Sequence, residues 1–204
     1  ATRGWIWNSQ EFDWKGRVTR NVNSDGTDTL ASYEGCGCAG GEIVTIQGEE
    51  LTEGRRTQKQ YSDVLGRVVR VENLNWSNVV YDSVTNAFNG RDQVVRNRRH
   101  DGVYTSNTYL ETTFGYDGFG RLSSKHEPQQ DANTATSYTY FADDSLATVA
   151  DARNATKHFM YDNRGLVDQI SWTVPNNSVI TVPATVEFEY DNLGNRIKMT
   201  DALG

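Results

Sequence analysis

Three prolines, two cysteines and three histidines in 204 residues leave little material for several kinds of protein. No run approaches the roughly 18 apolar residues that a membrane-spanning helix needs, so no membrane span is expected. The first 20 residues carry Trp, Glu, Asp and Arg instead of the apolar core of a signal peptide. A basic stripe is missing as well. The net charge is -7 and the pI near 5.0, and the one local cluster, Arg96, Arg98, Arg99 and His100, is offset by nearby acids. That balance argues against nucleic acid as a partner. The motifs G-x-S-x-G and H-E-x-x-H are absent, and His100, His126 and His158 have no nucleophile beside them in sequence. These absences leave no assembled catalytic set and point away from an enzyme. Long stripes of apolar residues at helical spacing are also lacking.

What the chain has in quantity is Gly (18) and Tyr plus Trp (15). With polar residues between them and little proline, these predict β-structure punctuated by tight turns. The length is enough to bury a substantial core. The pattern also repeats. Clear copies are Tyr116-Asp117-Gly118-Phe119-Gly120-Arg121-Leu122, Tyr161-Asp162-Asn163-Arg164-Gly165-Leu166-Val167 and Tyr190-Asp191-Asn192-Leu193-Gly194-Asn195-Arg196-Ile197. Phe12-Asp13-Trp14-Lys15-Gly16-Arg17-Val18 is a fourth, with Phe in place of Tyr. Weaker copies start at Tyr33, at Tyr61 with one residue inserted, and at Tyr140, while Tyr81-Asp82 opens one whose Gly is missing. From one anchor aromatic to the next the spacings are 21, 28, 20, 35, 24, 21 and 29 residues. That drift is too large for a rigid solenoid and suits hairpins whose distal loops vary in length.

The Asp-to-Gly spacing has a direct physical reading. An Asp at the first position of a type I turn bonds backbone N–H groups two residues on, and a Gly three residues after it supplies the positive φ of a G1 bulge. The pairs Asp13/Gly16, Asp117/Gly120, Asp162/Gly165 and Asp191/Gly194 are therefore expected to form hairpin corners. An aromatic precedes the anchor by two residues at Phe114/Tyr116, Tyr138/Tyr140, Phe159/Tyr161 and Phe188/Tyr190, placing each pair on one face of a strand. Phe12, Tyr61, Tyr116, Tyr140, Tyr161 and Tyr190 are the candidate packing aromatics. The return strands alternate less cleanly, as in Ile197 and Met199 against Arg196 and Lys198. Stacked units would form a strip of antiparallel sheet held by cross-strand pairs, each contributing on the order of 0.2–1 kcal/mol. Because a carboxylate working as an acid or base has no reason to recur at every corner, Asp162 reads as a turn residue.

The recurring Tyr-Asp-x-x-Gly-Arg, with "DARNAT" at 151–156 and a C-terminal "TDALG", resembles the YD-repeat family, also called Rhs repeats, from Phe12 to Gly204. Known members are very large secreted or surface proteins: bacterial polymorphic toxins, insecticidal toxin-complex components and the teneurins. The resemblance implies an all-β array of tandem hairpins forming a twisted, curved antiparallel ribbon, which in the toxins spirals into a hollow shell around a C-terminal toxic domain. This chain is far shorter than a closed shell requires. It also lacks the Asp-Pro-x-Gly cluster near which bacterial members cut themselves, so self-cleavage is not carried over. Residues 1–204 are expected to be a single array belonging to a longer or polymeric assembly. Its implied partners are further repeats or copies of itself, or an enclosed toxin domain; surface glycans are a further candidate on the strength of the aromatic residues. The implied location is extracellular or at the cell surface, with the Arg-bearing form of the repeat pointing to bacteria.

Other motifs carry less. Gly35-Cys36-Gly37-Cys38-Ala39-Gly40 matches G-x-G-x-x-G, but "GEIVTIQGEE" after it alternates like a strand, whereas dinucleotide binding needs a helix there. Cys36 and Cys38 form a C-x-C pair with no second Cys pair or His-x-His to complete a metal site. Across one residue of extended chain a disulfide is strained, and a bend at Gly37 would permit it; bonded and free forms both stay open. "SDGTD" at 24–28 and "ADD" at 142–144 are solvated turns or Ca²⁺ ligands, and neither follows the EF-hand order. Asn75, Asn154 and Asn176 lie in N-x-[ST] sequons. No cofactor is expected. Trp5, Trp7, Trp14, Trp76 and Trp172, with Asn and Asp nearby, suit either packing of hairpin on hairpin or a carbohydrate-binding face. The leading expectation is a structural or encapsulating segment of the shell type. An extracellular self-assembling fibre or tube and an adhesion or glycan-binding module are the alternatives.

Overall fold

A computed structural model describes residues 7–35, 41–175 and 185–201. Cys36 and Cys38 lie outside the described residues, as do Trp5, Asn176 and Pro183. The described chain is all-β: sixteen antiparallel strands whose order in the sheet is their order in the sequence, with no helix among the described residues. It divides into two compact units, 1–111 and 112–204. The first holds β1 (Ser9–Phe12), β2 (Val18–Val22), β3 (Asp28–Glu34), β4 (Ile43–Leu51), β5 (Gly54–Ser62), β6 (Val68–Leu74), β7 (Val80–Phe88), β8 (Val94–Asp101) and the start of β9 (Tyr109–Tyr116). The second holds the rest of β9, β10 (Leu122–His126), β11 (Thr136–Tyr140), β12 (Leu146–Ala150), β13 (Thr156–Tyr161), β14 (Val167–Thr173), β15 (Thr185–Tyr190) and β16 (Arg196–Thr200).

Ten of the connections among the described residues are one turn repeated. Starting at residues 13, 23, 63, 75, 89, 117, 141, 151, 162 and 191, the N–H of the first residue donates to the carbonyl four residues on, and the N–H of the fourth donates back to the first carbonyl. In all ten the fourth residue has positive φ: Gly16, Gly26, Gly66, Gly120, Gly165 and Gly194 at 77 to 90°, Asn78, Asp92, Asp144 and Asn154 at 57 to 68°. Asn and Asp tolerate this region because their short polar side chains bond locally. Turns 23, 75 and 151 join one hairpin to the next at the far end of the strands, where no Tyr-Asp signature marks them. Gly was the only residue expected at the fourth position, so the turns with Asn78, Asp92 and Asn154 there escaped the pattern, while the one with Asp144 showed only as a weaker copy from Tyr140.

One repeat assignment is corrected. Tyr81-Asp82 is not at a corner but inside β7, where Asp82 faces Asp101. The corner is Asn89-Gly90-Arg91-Asp92, preceded by Phe88. Asn accepts the same turn hydrogen bonds as Asp and Phe fills the anchor place, so the unit was present with neither letter of its signature. Moving the anchor from 81 to 88 turns the uneven neighbouring spacings of 20 and 35 into 27 and 28.

A second irregularity lies just inside these hairpins. In β1–β2, β5–β6, β6–β7, β7–β8, β9–β10, β11–β12, β13–β14 and β15–β16 the register shifts by one after the pair nearest the turn, as between Tyr161↔Val167 and Met160↔Gln169. The extra residue always sits in the return strand, at Thr19, Val69, Tyr81, Val95, Ser123, Ala147, Asp168 and Ile197. An unpaired residue resets which side chains face which side, and this is why Arg196 to Met199 do not alternate cleanly.

Register then sorts the side chains of the second unit into two unlike faces. Tyr138, Val149, Phe159, Ile170, Trp172, Val186, Phe188 and Met199 share one; Ser124, Ser137, Thr139, Thr148, His158, Ser171 and Thr185 share the other. The expected substantial core is not found: among the described residues Leu74, at 5% exposure, is the one buried apolar side chain. Five polar side chains of the first unit, Asp28, Thr57, Glu72, Ser83 and His100, are buried as well, and most other described side chains are half-buried or exposed.

Gly165 isolates the cost of the turn conformation, because a Cβ added there meets nothing within 4 Å. Gly165→Ala is expected to destabilise by about 1 kcal/mol through backbone strain alone, and Gly165→Asn by distinctly less, as Asn78 and Asn154 show the conformation is open to Asn. Urea unfolding of the three proteins measures the order; equal stability of Gly165→Ala and wild type would contradict it.

Candidate functional site: the stitched row of hairpin corners

Each corner is set first by its own side chain. Asp13, Asp63, Asn75, Asn89, Asp117, Asp151, Asp162 and Asp191 each use Oδ1 to accept the backbone N–H groups two and four residues on, at 2.8 to 3.1 Å. At the corners starting from Asn23 and Phe141 an acid at the third position substitutes: Asp25 and Asp143 accept both the N–H and the hydroxyl of Thr27 and Ser145. These bonds favour the ionised carboxylate. The Leu166 amide, acting against partial burial and helped by Arg164, holds Asp162 below the usual carboxylate range. Asp13 is lowered chiefly by the Arg17 amide, Asp191 by the Asn195 side chain. At Asp117 the largest effect is burial, which raises the pKa, and the bonds from Arg121 and Phe119 together outweigh it.

The arginine five places into the unit ties one corner to the next. Arg17, Arg67 and Arg121 each donate Nε to Oδ2 of their own Asp at 2.7 to 2.8 Å. Their Nη1 groups reach onward to Glu42, Asp92 and Asp144 at 2.5 to 2.6 Å. The same guanidiniums lie 4.1 Å from the ring centre of Tyr33, 4.8 Å from Phe88 and 4.6 Å from Tyr140. A planar guanidinium satisfies both demands at once: its edge donates to carboxylates while its face stacks on a ring. In the corner at Asp162, where Leu166 replaces the arginine, Arg164 takes over and donates to the Asp191 carbonyl at 2.7 Å.

The anchor tyrosine supplies the second tie. Tyr33, Tyr140, Tyr161 and Tyr190 donate their hydroxyls to the carbonyls of Val18, Leu122, Leu146 and Val167, at 2.7 to 3.0 Å. Each acceptor is the first residue of the preceding return strand. The backbone ladder between neighbouring hairpins stops short of that residue, as β14–β15 does at Gln169↔Glu187. The tyrosine bridges the gap, giving a part-buried carbonyl its partner.

The other candidate aromatics differ. Tyr61 sits two residues before its Asp instead of one; its hydroxyl donates to Glu72 Oε2 at 2.8 Å, and burial, with that bond second, raises its pKa. Arg70 stacks 3.6 Å from its ring. Phe12 is 56% exposed on β1, and Tyr116 pairs with Leu122 across β9–β10. Tyr161 also meets Phe141 edge-on at 6.3 Å. The histidines are dispersed. His100 is buried against Tyr109, with Nδ1 3.2 Å from the Ser106 carbonyl; His158 Nε2 is 3.1 Å from Thr173 Oγ1, and His126 Nε2 3.3 Å from the Asp131 carbonyl. Ser83, opposite His100 in the sheet, donates its hydroxyl to the Gly102 carbonyl at 2.6 Å and has no exposed surface. No group of three or more His, Cys, Asp or Glu among the described residues is arranged to hold a metal ion.

No protein-family model matches the chain, and no curated protein does. Solved structures do. The crystal structure of TcdB2-TccC3-TEV aligns over 95% of this chain with a TM-score of 0.54 at 14% identity, and that of TcdB2-TccC3 over 95% with a TM-score of 0.50 at 15% identity. At such identity the likeness is one of fold. This chain spans 11% and 12% of those chains.

Two substitutions test the corner and the tie. Because the folded pKa of Asp162 lies below its unfolded value of about 3.9, its ionised form contributes stability that is present above about pH 4 and lost as pH falls through the folded value. Asp162→Asn keeps an acceptor for both amides, so its deficit against wild type should be largest at pH 7 and shrink as pH falls below about 4. Thermal unfolding at pH 7, 5, 4 and 3 measures this, and a deficit independent of pH would contradict it. Tyr190→Phe should cost about 1 kcal/mol by leaving the Val167 carbonyl without its donor, read by urea unfolding; no change would show that water replaces the hydroxyl freely.

Proposed function

We propose that this chain is a segment of a longer β-hairpin scaffold of the shell type, in a bacterial protein that is secreted or displayed at the cell surface. The observation that carries the reading is the tie from corner to corner: successive hairpins are joined by Arg-to-acid and Tyr-to-carbonyl bonds that add a unit without altering the one before. Such construction suits an array extended by repetition. Three further points support it. The Tyr-Asp-x-x-Gly-Arg units resemble those of shell-forming YD-repeat proteins. The fold matches TcdB2-TccC3 structures over nearly the whole chain while spanning about a tenth of theirs. The aromatic face is only half-buried, leaving surface for neighbouring repeats or an enclosed domain to cover. In this reading the chain is a scaffold and not an enzyme, and its partners are further repeats and whatever they surround.

Electron microscopy of the intact polypeptide that carries this segment tests the proposal. Closed hollow particles are the expected result. Regular filaments would replace the shell with a self-assembling fibre, and small compact monomers would overturn both.

A further inference from the structure

The Tyr81-Asp82 pair, which resembles a repeat corner but sits inside β7, lines a cleft. Beside it lie Arg99 and Asp101 at the end of β8 and Tyr109 at the start of β9, enclosing about 390 Å³. Tyr81 also borders an adjoining recess of about 200 Å³ with Trp76 and Arg56, so the two share one wall. We propose that this groove in the first unit binds a neutral oligosaccharide.

Its geometry begins with the bulge. Leu74 pairs with Val80 and Asn73 with Asp82, leaving Tyr81 as the extra residue of β7. A bulge re-aims the side chain it carries, and Tyr81 is 49% exposed. Trp76, at the second position of the neighbouring turn, is 43% exposed, and Tyr109 is 38% exposed. Tyr81 and Tyr109 thus border the larger cleft, and Tyr81 and Trp76 the recess beside it. Their apolar faces and polar edges suit a ligand that is itself apolar on one side and hydroxylated on the other.

The polar groups between them are fixed. Asp82 accepts from Arg99 Nε through Oδ1 and from Asn73 Nδ2 through Oδ2, both at 2.9 Å. A carboxylate with two such bonds retains lone pairs for hydroxyl donors, and the remaining guanidinium N–H groups of Arg99 are available to hydroxyl acceptors. The side chains of Tyr81 and Asp101 have no hydrogen-bond partner within the described chain. Donors and acceptors side by side match a vicinal diol.

Charge selects the class. Counted over the cleft and the adjoining recess together, Arg56 and Arg99 balance Asp82 and Asp101, so the pair carries no formal excess of either sign. An aromatic cage for a cation would need net negative charge, yet Arg56 already lies 5.7 Å from the Trp76 ring and Arg98 4.2 Å from that of Tyr109. An anion would meet the two carboxylates. A neutral polyhydroxylated ligand meets neither penalty.

The test is calorimetric titration of the intact chain with maltohexaose, cellohexaose and the hexamer of N-acetylglucosamine, with tryptophan fluorescence as a second readout. At least one should bind with Kd below about 1 mM. Tyr81→Ala and Trp76→Ala should each weaken it at least about tenfold, an amount equal to about 1.4 kcal/mol, with unchanged thermal unfolding because both rings are exposed. Spermidine and sialyllactose should not compete. Absence of binding by all three sugars at about 10 mM, binding indifferent to both substitutions, or displacement by either charged probe would overturn the proposal.

Discussion

The structure depends on one hydrogen-bonded arrangement: a side-chain oxygen that accepts two backbone N–H groups across a tight turn while the fourth residue takes positive φ. A two-stranded hairpin is marginal on its own in water, and these strands have little core to support them. The turn therefore has to be favourable locally. At eight corners Oδ1 of Asp or Asn closes two amides, and at two more an acid at the third position does similar work. Because the bonds lie within five residues, the corner forms at small loop-closure cost whatever the length of the connection at the other end.

From that corner the ties between hairpins follow. The backbone ladders between units end before the turns, leaving carbonyls such as that of Val167 facing the next hairpin with no backbone donor. Tyrosine is long enough to reach across, and its ring stays on the sheet while its hydroxyl bonds. Arginine at the end of the turn stacks on such rings and reaches the next acid. Where Leu166 displaces it, Arg164 makes an equivalent connection from two residues earlier. The tie is conserved in geometry more strictly than in sequence position, since many backbone positions place a long guanidinium at the same point.

Much of the corner geometry was legible because it is local. The spacing of Asp162 and Gly165 carries both the turn and the sign of φ, and the Phe159/Tyr161 spacing carries a shared face. What escaped notice used different letters for the same bonds: Asn75 and Asn89 for Asp, Asn78, Asp92 and Asn154 for Gly, Phe88 for Tyr. Tyr81-Asp82 shows the converse, the right letters in a strand, where the bulge at Tyr81 and the opposing Asp101 give them another setting. The regular one-residue bulge in the return strands left only the trace of a broken alternation near Ile197, which cannot by itself say where the extra residue lies.

By itself, then, the sequence determined the strand class, the repeated corner and the aromatic face, since turn bonding and two-residue alternation act over a few residues. The tertiary structure decided which hairpin each Tyr and Arg reaches, where the register slips, and that few of the described side chains are fully buried. The ties depend on residues 15 to 27 apart in the chain, and their contacts exist only once neighbouring hairpins have paired.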